Sequence, residues 1–266
     1  MAAPRPYLAH TPVALAHRGG ALYAPNVGLE NTLTAFANAV ALGYTHLETD
    51  VHLTSDGRLV AFHDARLDRV GDRAGRIRNL TWDQVRAARL GPGPEPERVP
   101  LVIEVVEAFP GICLNIDLKA PHTAGPLWHV IEEQGLHDQV CVGSFQQRHL
   151  SEFRRLSRGR VVTAAGVPGT ALLRFSPEWV TALLRTPAEV LQVPASLPVR
   201  RRRLHVVTEH FVEAAHRNGK QVHVWTIDDA DEMRRLLDLG VDGIVSDRID
   251  VLKDVLVERG SWTGAH

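Results

Sequence analysis

Residues 13–51 read VALAHRGGALYAPNVGLENTLTAFANAVALGYTHLETDV, and they contain the unit that the rest of the chain repeats. The apolar runs Val13–His17 and His46–Val51 have the length of buried strands, and the apolar spacing of Thr32–Leu42 between them is typical of a helix. Asn31 is placed to cap the start of that helix. The pattern predicts a strand, a helix and a second strand of one parallel sheet.

The alternation of strand and helix continues along the chain. Further strands are predicted at Leu59–His63, Ile112–Leu118, Val140–Phe145, Arg160–Ala165, Val190–Val193, Gln221–Thr226 and Gly243–Ser246. Further helices are predicted at Trp82–Leu90, Leu101–Phe109, Thr123–Glu133, Gln146–Leu156, Thr208–Arg217, Asp229–Leu239 and Val251–Glu258. Such a sheet is either doubly wound or closed into a TIM (β/α)8 barrel. Polar residues end many of the strands, and only a closed barrel brings all those ends to one mouth, so we predict an α/β TIM barrel.

The connection between the second and third strands leaves two topologies open. The turn residues Ser55–Gly57 favour a hairpin. A hairpin is expected to place Asp50 and His63 at different heights, whereas an extended Val51–Arg58 is long enough to run back along the barrel and start a parallel strand. One strand candidate is in any case surplus to a barrel of eight strands.

Residues 65–100 have the character of an insertion in a single domain that spans residues 13–257. The segment holds Gly71, Gly75 and the Pro- and Gly-rich run Gly91–Pro96, which is typical of loops. We expect it to follow the third strand and to form a lid over the barrel mouth.

The composition excludes several classes of protein. Lys and Arg total 30 against 31 Asp and Glu, and the net charge of -1 argues against a protein that binds nucleic acid. No apolar run approaches the roughly 20 residues of a membrane helix, and no export signal is evident. Cys113 and Cys141 lie in apolar stretches, as is usual in a reducing compartment. We expect a cytoplasmic protein without stable membrane association and leave its oligomeric state open.

Histidines end the first and third strand candidates. His17 is followed by Arg18 and two glycines, and arginine forks onto phosphate oxygens while glycine lets a backbone approach an anion. A lone histidine at a strand end is more often structural. Because His63 is a second one, and histidine titrates near neutrality, an acid–base pair is indicated.

Carboxylates follow the strand pattern as well. Glu48 and Asp50 are two residues apart in a strand and therefore face the same side, where a divalent metal ion would balance their charges. The alternative is that one pairs with an arginine and the other is exposed. Asp117 and Lys119 share a face of the fourth strand; they would complete the metal site and stabilise phosphate oxygens, or form only a buried ion pair.

Two further residues have strong structural alternatives. Glu30 opens the first helix, and its functional role would be to hold Arg18. Trp225 is a core residue by default, or an apolar wall for the carbon part of a substrate. Two histidines, three carboxylates, one arginine and one lysine at strand ends together suit the cleavage of a phosphodiester.

The ordered motifs resemble the bacterial glycerophosphodiester phosphodiesterase family of PLC-like TIM barrels, from about Val13 to Leu256. The motifs are His17-Arg18-Gly19, Glu30-Asn31-Thr32, Glu48-Thr49-Asp50, Thr54-Ser55-Asp56-Gly57, His63-Asp64, Asp117-Leu118-Lys119, Trp225-Thr226-Ile227-Asp228 and Asp242-Gly243-Ile244-Val245-Ser246-Asp247. The resemblance implies a TIM barrel with a small insertion after the third strand. It also implies a parallel third strand rather than a hairpin.

The resemblance also implies residue roles and a reaction. The catalytic pair would be His17 and His63. The ligands of Mg²⁺ or Ca²⁺ would be Glu48, Asp50 and Asp117, and at the position of Asp117 the family usually has a glutamate. The substrate-binding residues would be Arg18, Glu30, Lys119, Phe145 and Trp225. The reaction implied is hydrolysis of a glycerophosphodiester, a small molecule, to an alcohol and glycerol 3-phosphate.

Two alternatives differ from this expectation in substrate or in turnover. A lysophospholipase D-type enzyme would use the same site on lipids, and an apolar rim near Trp82, Leu90 and Trp225 would favour it. A phosphate-binding barrel without turnover is disfavoured by the intact histidines and carboxylates.

Overall fold

The computed structural model describes residues 5–92, 96–176, 186–199 and 202–264. Its strands are β1 Val13–His17, β2 His46–Leu53, β3 Leu59–Ala61, β4 Cys113–Leu118, β5 Val140–Gly143, β6 Val162–Thr163, β7 Val190–Pro194, β8 Ser196–Val199, β9 Arg202–His205, β10 Gln221–Trp225 and β11 Gly243–Ser246. Its helices are α1 Leu33–Ala41, α2 Trp82–Arg86, α3 Val102–Ala108, α4 Ala124–Glu133, α5 Gln147–Ser157, α6 Val167–Phe175, α7 Glu209–Arg217, α8 Ala230–Asp238 and α9 Ile249–Glu258.

Eight parallel strands form the barrel in the order β6-β5-β4-β2-β1-β11-β10-β7. The two ends of this order meet, because Ala164 and Val190 form a parallel bridge and the Ala165 amide donates to the Val190 carbonyl at 2.7 Å. Helices cover the outside, and apolar residues that point outward from the strands form the main core with them. The predicted α/β TIM barrel is confirmed.

The connection from β2 to β3 is a hairpin, so the parallel third strand implied by the resemblance is wrong. Val51 pairs with Ala61 in antiparallel register. The Thr54 amide donates to the Arg58 carbonyl at 3.0 Å, and Gly57 adopts a φ of 79°, so the chain reverses within a tight turn. β3 is therefore the surplus strand and lies outside the barrel path.

The hairpin nevertheless places Asp50 and His63 at nearly the same height, contrary to the expectation for a hairpin. β2 continues to Leu53, past the level of Asp50, before the chain turns back. The Phe62 amide then donates to the Asp50 carbonyl at 2.8 Å, so His63 follows directly at the barrel mouth.

The insertion after β3 has a small apolar core of its own. Leu67, Ile77, Val85 and Leu90 are fully buried there, together with residues of β3 and its flanks. Residues 93–95 of the predicted run Gly91–Pro96 lie outside the described residues. The segment lies beside β2 and β3, because the Ser55 amide donates to Leu80 and the Ile77 amide donates to Ala65.

The end of the barrel opposite the mouth is closed by a turn of 3₁₀ helix at Pro6–Leu8. The Tyr7 ring is fully buried in a cluster with Leu15 and Cys113, among other inward-facing residues. Its centroid lies 5.2 Å from that of His46 and 6.2 Å from that of His223. None of the helices in the described ranges is long and apolar enough to cross a membrane.

Candidate active site

Strand alternation delivers the predicted residues to the barrel interior. In β1, Val13 and Leu15 pack inside the barrel, so His17 points inward at the mouth. In β2 the alternation turns Glu48 and Asp50 inward. The register places Glu48 beside His17, and Asp50 beside Asp117 of β4. Nine of the ten predicted site residues line one cavity: His17, Arg18, Glu48, Asp50, His63, Asp117, Lys119, Phe145 and Trp225.

His17 is held by two carboxylates. Its Nδ1 lies 2.8 Å from Asp247 Oδ1, and its Nε2 lies 3.8 Å from Glu48 Oε2. Since an ionised carboxylate only accepts, Nδ1 donates to Asp247 and Nε2 is left to face the cavity. Burial by itself lowers the pKa of His17, but the charges of Glu48 and Asp247 outweigh it, so the pKa is raised.

His63 repeats this arrangement on the other side of the mouth. Its Nδ1 lies 2.6 Å from Asp64 Oδ1, which again leaves Nε2 for a substrate. The second oxygen of Asp64 accepts from Arg69 Nε at 2.6 Å. Burial raises the pKa of Asp64, but Arg69 and His63 outweigh that effect and hold it below its usual range.

Glu48 and Asp50 form an incompletely neutralised pair. Their residues are 6 % and 1 % exposed. Burial and the neighbouring Asp50 raise the pKa of Glu48 to about 7. For Asp50 the effect of burial is outweighed by Lys119, His63 and Arg18, and its pKa is lowered. A cation beside Glu48 would therefore be stabilised, and its carboxylate oxygens suit a hard divalent ion.

Lys119 stands between Asp50 and Asp117. Its Nζ lies 2.9 Å from Asp50 Oδ1 and 2.6 Å from Asp117 Oδ2. Burial opposes the charge of Lys119, but both carboxylates outweigh it, and its pKa is raised. Among the described residues, no group of three His, Cys, Asp or Glu side chains is placed to hold a metal ion. The carboxylate oxygens of Glu48, Asp50 and Asp117 are donors that suit a divalent ion, but Lys119 engages both Asp50 and Asp117.

Arg18 is fixed by three carboxylate contacts. Its amide donates to Glu48 Oε2 at 3.1 Å, its Nη1 donates to Glu30 Oε1 at 3.1 Å, and its Nε lies 3.5 Å from Asp50 Oδ2. Glu30 thus supports Arg18 from behind and is the predicted site residue that does not line the cavity. The role that sequence reasoning gave it, to hold Arg18, matches this contact.

Asn31 has a different place from the predicted one. The cap of α1 is Thr32, whose hydroxyl accepts from the Ala35 amide at 3.2 Å. Asn31 instead has a φ of 59°, accepts from the Thr49 hydroxyl at 2.7 Å and donates to Asp50 Oδ2 at 3.4 Å. It orients a carboxylate of the site.

The glycines after Arg18 serve packing rather than anion binding. The Gly19 amide donates to Ala16 and the Gly20 amide donates to His17, so both are used within the turn. A Cβ on Gly19 would lie 2.9 Å from the backbone of Ala35, so glycine is needed for β1 and α1 to approach.

The cavity holds about 500 Å³, and part of its lining is an apolar wall. Phe145 and Trp225 belong to this wall, with ring centroids 5.5 Å apart. The wall continues along α6 and β8 through residues that include Val167, Phe175 and Leu197.

The apolar rim considered near Trp82, Leu90 and Trp225 lies only partly at the cavity. Leu90 is buried in the insertion core, and Trp82 packs against that core with Arg98 over its ring. Of the rim residues named from sequence, Trp225 lines the cavity.

Sequence reasoning missed Asp247 behind His17 and Arg69 behind Asp64. Asp247 ends the last of the quoted motifs and received no role there, and Arg69 belongs to none of those motifs. The contact of His17 with Asp247 spans 230 residues. The signal that could have identified Asp247 is its position directly after β11, the barrel neighbour of β1.

Comparison with known proteins identifies the family. The model of the glycerophosphoryl diester phosphodiesterase family matches residues 17–251. The chain is 38% identical over 259 residues to the "Probable glycerophosphodiester phosphodiesterase 2" of Mycobacterium tuberculosis, covering 95% of this chain and 94% of that protein.

Solved structures agree on the fold. The glycerophosphodiester phosphodiesterase of Agrobacterium tumefaciens superimposes with a TM-score of 0.72 at 22% identity, covering 90% of this chain and 98% of that one. An Oleispira antarctica phosphodiesterase in complex with the product sn-glycerol-3-phosphate gives 0.74 at 21% identity, covering 93% and 97%. On these matches in sequence and structure, the chain belongs to the glycerophosphoryl diester phosphodiesterase family.

Proposed function

We propose that this chain hydrolyses glycerophosphodiesters to an alcohol and glycerol 3-phosphate through the histidines His17 and His63. The observation that carries the proposal is their matched anchoring. Each imidazole is bound at Nδ1 by a carboxylate, Asp247 or Asp64, and presents Nε2 to the same cavity. Two oriented imidazoles are what a reaction with one proton removal and one proton donation requires.

The proposed mechanism divides proton transfer from charge stabilisation. One histidine takes the proton of the attacking oxygen, either the adjacent glycerol hydroxyl or water, at its Nε2. If the hydroxyl attacks, a cyclic phosphate forms first, and water then opens it to glycerol 3-phosphate in a second step of the same kind. The other donates its Nε2 proton to the departing alkoxide. Arg18 and Lys119 lie at the cavity wall as fixed cations, and they stabilise the charge that gathers on the phosphorane oxygens.

The test uses His17→Ala and His63→Ala on glycerophosphocholine, with His129→Ala as a control because that side chain is 72 % exposed on α4. Each site variant should lose roughly 10²–10⁴-fold in kcat, and the control should not. A p-nitrophenyl phosphodiester needs no protonation of its leaving group, so the variant that lacks the acid should be less impaired on it. Near-normal turnover of glycerophosphocholine by either folded variant would remove that histidine from the mechanism.

We further propose that a divalent cation, Mg²⁺ or Ca²⁺, is held by Glu48, Asp50 and Asp117. When bound it would supply Lewis-acid stabilisation of the phosphate oxygens. The raised pKa of Glu48 supports this, because that buried carboxylate beside Asp50 is short of positive charge. Asp117 would join the ligands in place of its contact with Lys119.

Calorimetric titration of the chelator-treated protein tests the cation. Glu48→Gln should abolish binding of Mg²⁺ or Ca²⁺, Asp117→Asn should weaken it, and Asp117→Glu should retain it with a changed preference between the two ions. Binding should also raise the thermal midpoint. At a free metal concentration of a hundred times Kd, the free energy of unfolding should increase by about 2.7 kcal/mol. Absence of binding by the wild type for both ions would refute the site, and unchanged binding by Asp117→Asn would leave Asp117 as a partner of Lys119 only.

A second candidate is a lysophospholipase D-type activity, and the apolar wall favours it. Phe145, Val167, Phe175 and Leu197 are 58 %, 59 %, 63 % and 45 % exposed around the cavity. An acyl chain laid over these side chains would remove apolar surface from water. The trimethylammonium of glycerophosphocholine can use the aromatic rings of Phe145 and Trp225, but its glycerol and phosphate offer no apolar surface to Val167, Phe175 and Leu197.

Comparing kcat/KM for lysophosphatidylcholine and glycerophosphocholine separates the two candidates. If lysolipid is a substrate, Phe175→Asp should lower its kcat/KM at least tenfold and leave that of glycerophosphocholine within about twofold. Val257→Asp is the control, because Val257 is 53 % exposed on α9 and does not line the cavity. Equal losses on both substrates would count against the lipid candidate.

We also propose that the enzyme acts in the cytoplasm, since Cys113 and Cys141 are free and buried, as expected in a reducing compartment. Cell fractionation with an antibody against the chain tests this, and recovery in the membrane or exported fraction would contradict it.

A further inference from the structure

Arg69 of the insertion touches the supports of two different site residues. Its Nε donates to Asp64 Oδ2 at 2.6 Å, and its Nη1 and Nη2 donate to the two oxygens of Glu30 at 2.8 and 2.6 Å. Asp64 holds Nδ1 of His63, and Glu30 holds Nη1 of Arg18. One guanidinium therefore connects the partner of His63 with the partner of Arg18.

The backbone of Arg69 is fixed by the insertion itself. Arg69 ends the 3₁₀ turn Leu67–Arg69, and Leu67 is fully buried in the insertion core. The Leu67 amide donates to Gly75 at 3.0 Å, and the Gly71 amide donates back to Leu67 at 2.9 Å. The guanidinium is thus carried by a folded unit, although its side chain is 47 % exposed.

Charge balance makes this contact consequential for the site. The Glu30 side chain is 13 % exposed. Among the described residues it forms ion pairs with Arg18 and Arg69 and with no other residue. Burial raises the pKa of Glu30, but Arg69 and Arg18 outweigh it, so Glu30 stays ionised. Without Arg69, Glu30 and Asp64 would each lose a charge-assisted hydrogen bond, and the two side chains that they orient would become freer.

We infer that Arg69 is a positioning residue, through which the insertion holds His63 and Arg18 in their working orientations. The inference rests on the proposed roles of those two residues. It also gives the insertion a task other than that of a lid: the segment completes the site by supplying the guanidinium that fixes Asp64 and Glu30.

The test is a set of double-variant cycles with glycerophosphocholine as substrate. Arg69→Met should lower kcat/KM by about 10–100-fold, as is usual for a support behind a site residue. In a His63→Ala or an Arg18→Met background the same change should cost several-fold less, because part of what Arg69 orients is already gone. Arg69→Lys should lose less activity than Arg69→Met, because a lysine keeps the positive charge. It should not reach the wild-type rate, because a lysine cannot bind both oxygens of Glu30 as a guanidinium does.

Arg66→Met is the matched control. Arg66 lies in the same insertion, is 51 % exposed and pairs at 2.9 Å with Asp68, away from the site. It should leave kcat/KM within about twofold. Should Arg69→Met not fold, Arg69→Lys replaces it in both cycles.

Two results would overturn the inference: wild-type kcat/KM for Arg69→Met, or a loss of the same factor in all three backgrounds, which would mean a general structural effect. Failure of the proposed function looks different, because His63→Ala alone would then turn over normally.

Discussion

Gly19, in the turn after Arg18, belongs to the motif His17-Arg18-Gly19 because of packing and not because of a role in the reaction. Gly19 has a φ of 86°, and the space where a Cβ would lie is filled by the backbone of Ala35. The motif His17-Arg18-Gly19 therefore needs its glycine to bring α1 against β1, and only the first two residues face the cavity.

Gly19→Ala should destabilise the protein by roughly 2–4 kcal/mol, because it combines an unfavourable φ with a clash against backbone. Gly125→Ala is the control, since Gly125 lies in α4, has no positive φ and has no atom within 4 Å of the added Cβ. Chemical denaturation should show a change of at most about 1 kcal/mol for the control. Equal midpoints for the two variants would contradict this account of the motif.

Asp247 is the residue whose role is most readily tested by a conservative change. Asp247→Asn should lower kcat by roughly 10²-fold, because an amide can no longer fix the Nδ1 proton of His17. Asp250→Asn serves as the comparison, since Asp250 pairs with Arg248 at 3.0 Å and does not line the cavity. Steady-state kinetics with unchanged kcat for Asp247→Asn would show that His17 needs no anchor.

The charged residues of the cavity could be predicted from sequence, and the distant supports Asp247 and Arg69 could not. Strand-end position and alternation carry local signals, which is why His17, Glu48, Asp50 and Lys119 were found. The contacts behind them join distant segments: Arg69 meets Glu30 across 39 residues. A local sequence pattern does not predict contacts between residues that are far apart in the chain, so these pairs are seen only in the folded structure.

At the scale of elements, the hairpin was misjudged because strand length was underestimated. β2 was predicted to end at Val51 and continues to Leu53, and these extra residues let the returning strand reach the level of Asp50. α6, β8 and β9 were not predicted, since proline and glycine interrupt the α6 pattern and charged residues fill β9. Because these elements were not predicted, Val167, Phe175 and Leu197 were not among the apolar residues expected around the site.

Truncation of the insertion core should loosen the insertion and spare the barrel. Ile77→Ala removes a fully buried side chain of that core and should cost about 2–5 kcal/mol locally. Hydrogen exchange should then quicken at amides of residues 65–92 and stay slow in β1 and β2, while kcat falls with the displacement of Arg69. Ile131→Ala, in the main core, should instead reduce protection in the barrel. Faster exchange throughout in Ile77→Ala would show that the insertion is not a separate cooperative unit.

Across the whole molecule, the chemistry and a pH-sensitive part of the core lie at opposite ends of the barrel. His46 and His223 are buried beside Tyr7, far down the strands from the mouth. Burial lowers the pKa of His46 to about 4 and that of His223 to about 3. Gly243 leaves room for the His223 ring, since a Cβ there would lie 2.8 Å from Cδ2.

The contribution of these two histidines to stability should therefore fall as the pH is lowered from about 6.5 towards 4, while Glu48, whose pKa is raised to about 7, acts in the opposite sense. Below their ordinary pKa of about 6.5 the two histidines bind protons in the unfolded chain and not in the folded one, so each removes about 1.4 kcal/mol per pH unit within this window. Above about pH 6.5 the contribution should vanish. Denaturation midpoints against pH should show a shallower slope for His223→Gln and an unchanged one for the exposed His129→Gln. A slope unchanged in His223→Gln would indicate that other groups account for the acid sensitivity.

The two ends of the insertion between β3 and α3 lie side by side. The Ala61 amide donates to the Pro100 carbonyl at 3.0 Å, and Val60 forms an antiparallel bridge with Leu101. Entry and exit are thus clamped side by side, and closing a loop of another length across them costs little more entropy. Segments of different size and sequence could be exchanged here as cassettes between homologous barrels. Any working chimera must still deliver one cation to the place that Arg69 fills, so a swap that omits it should fold and yet turn over slowly.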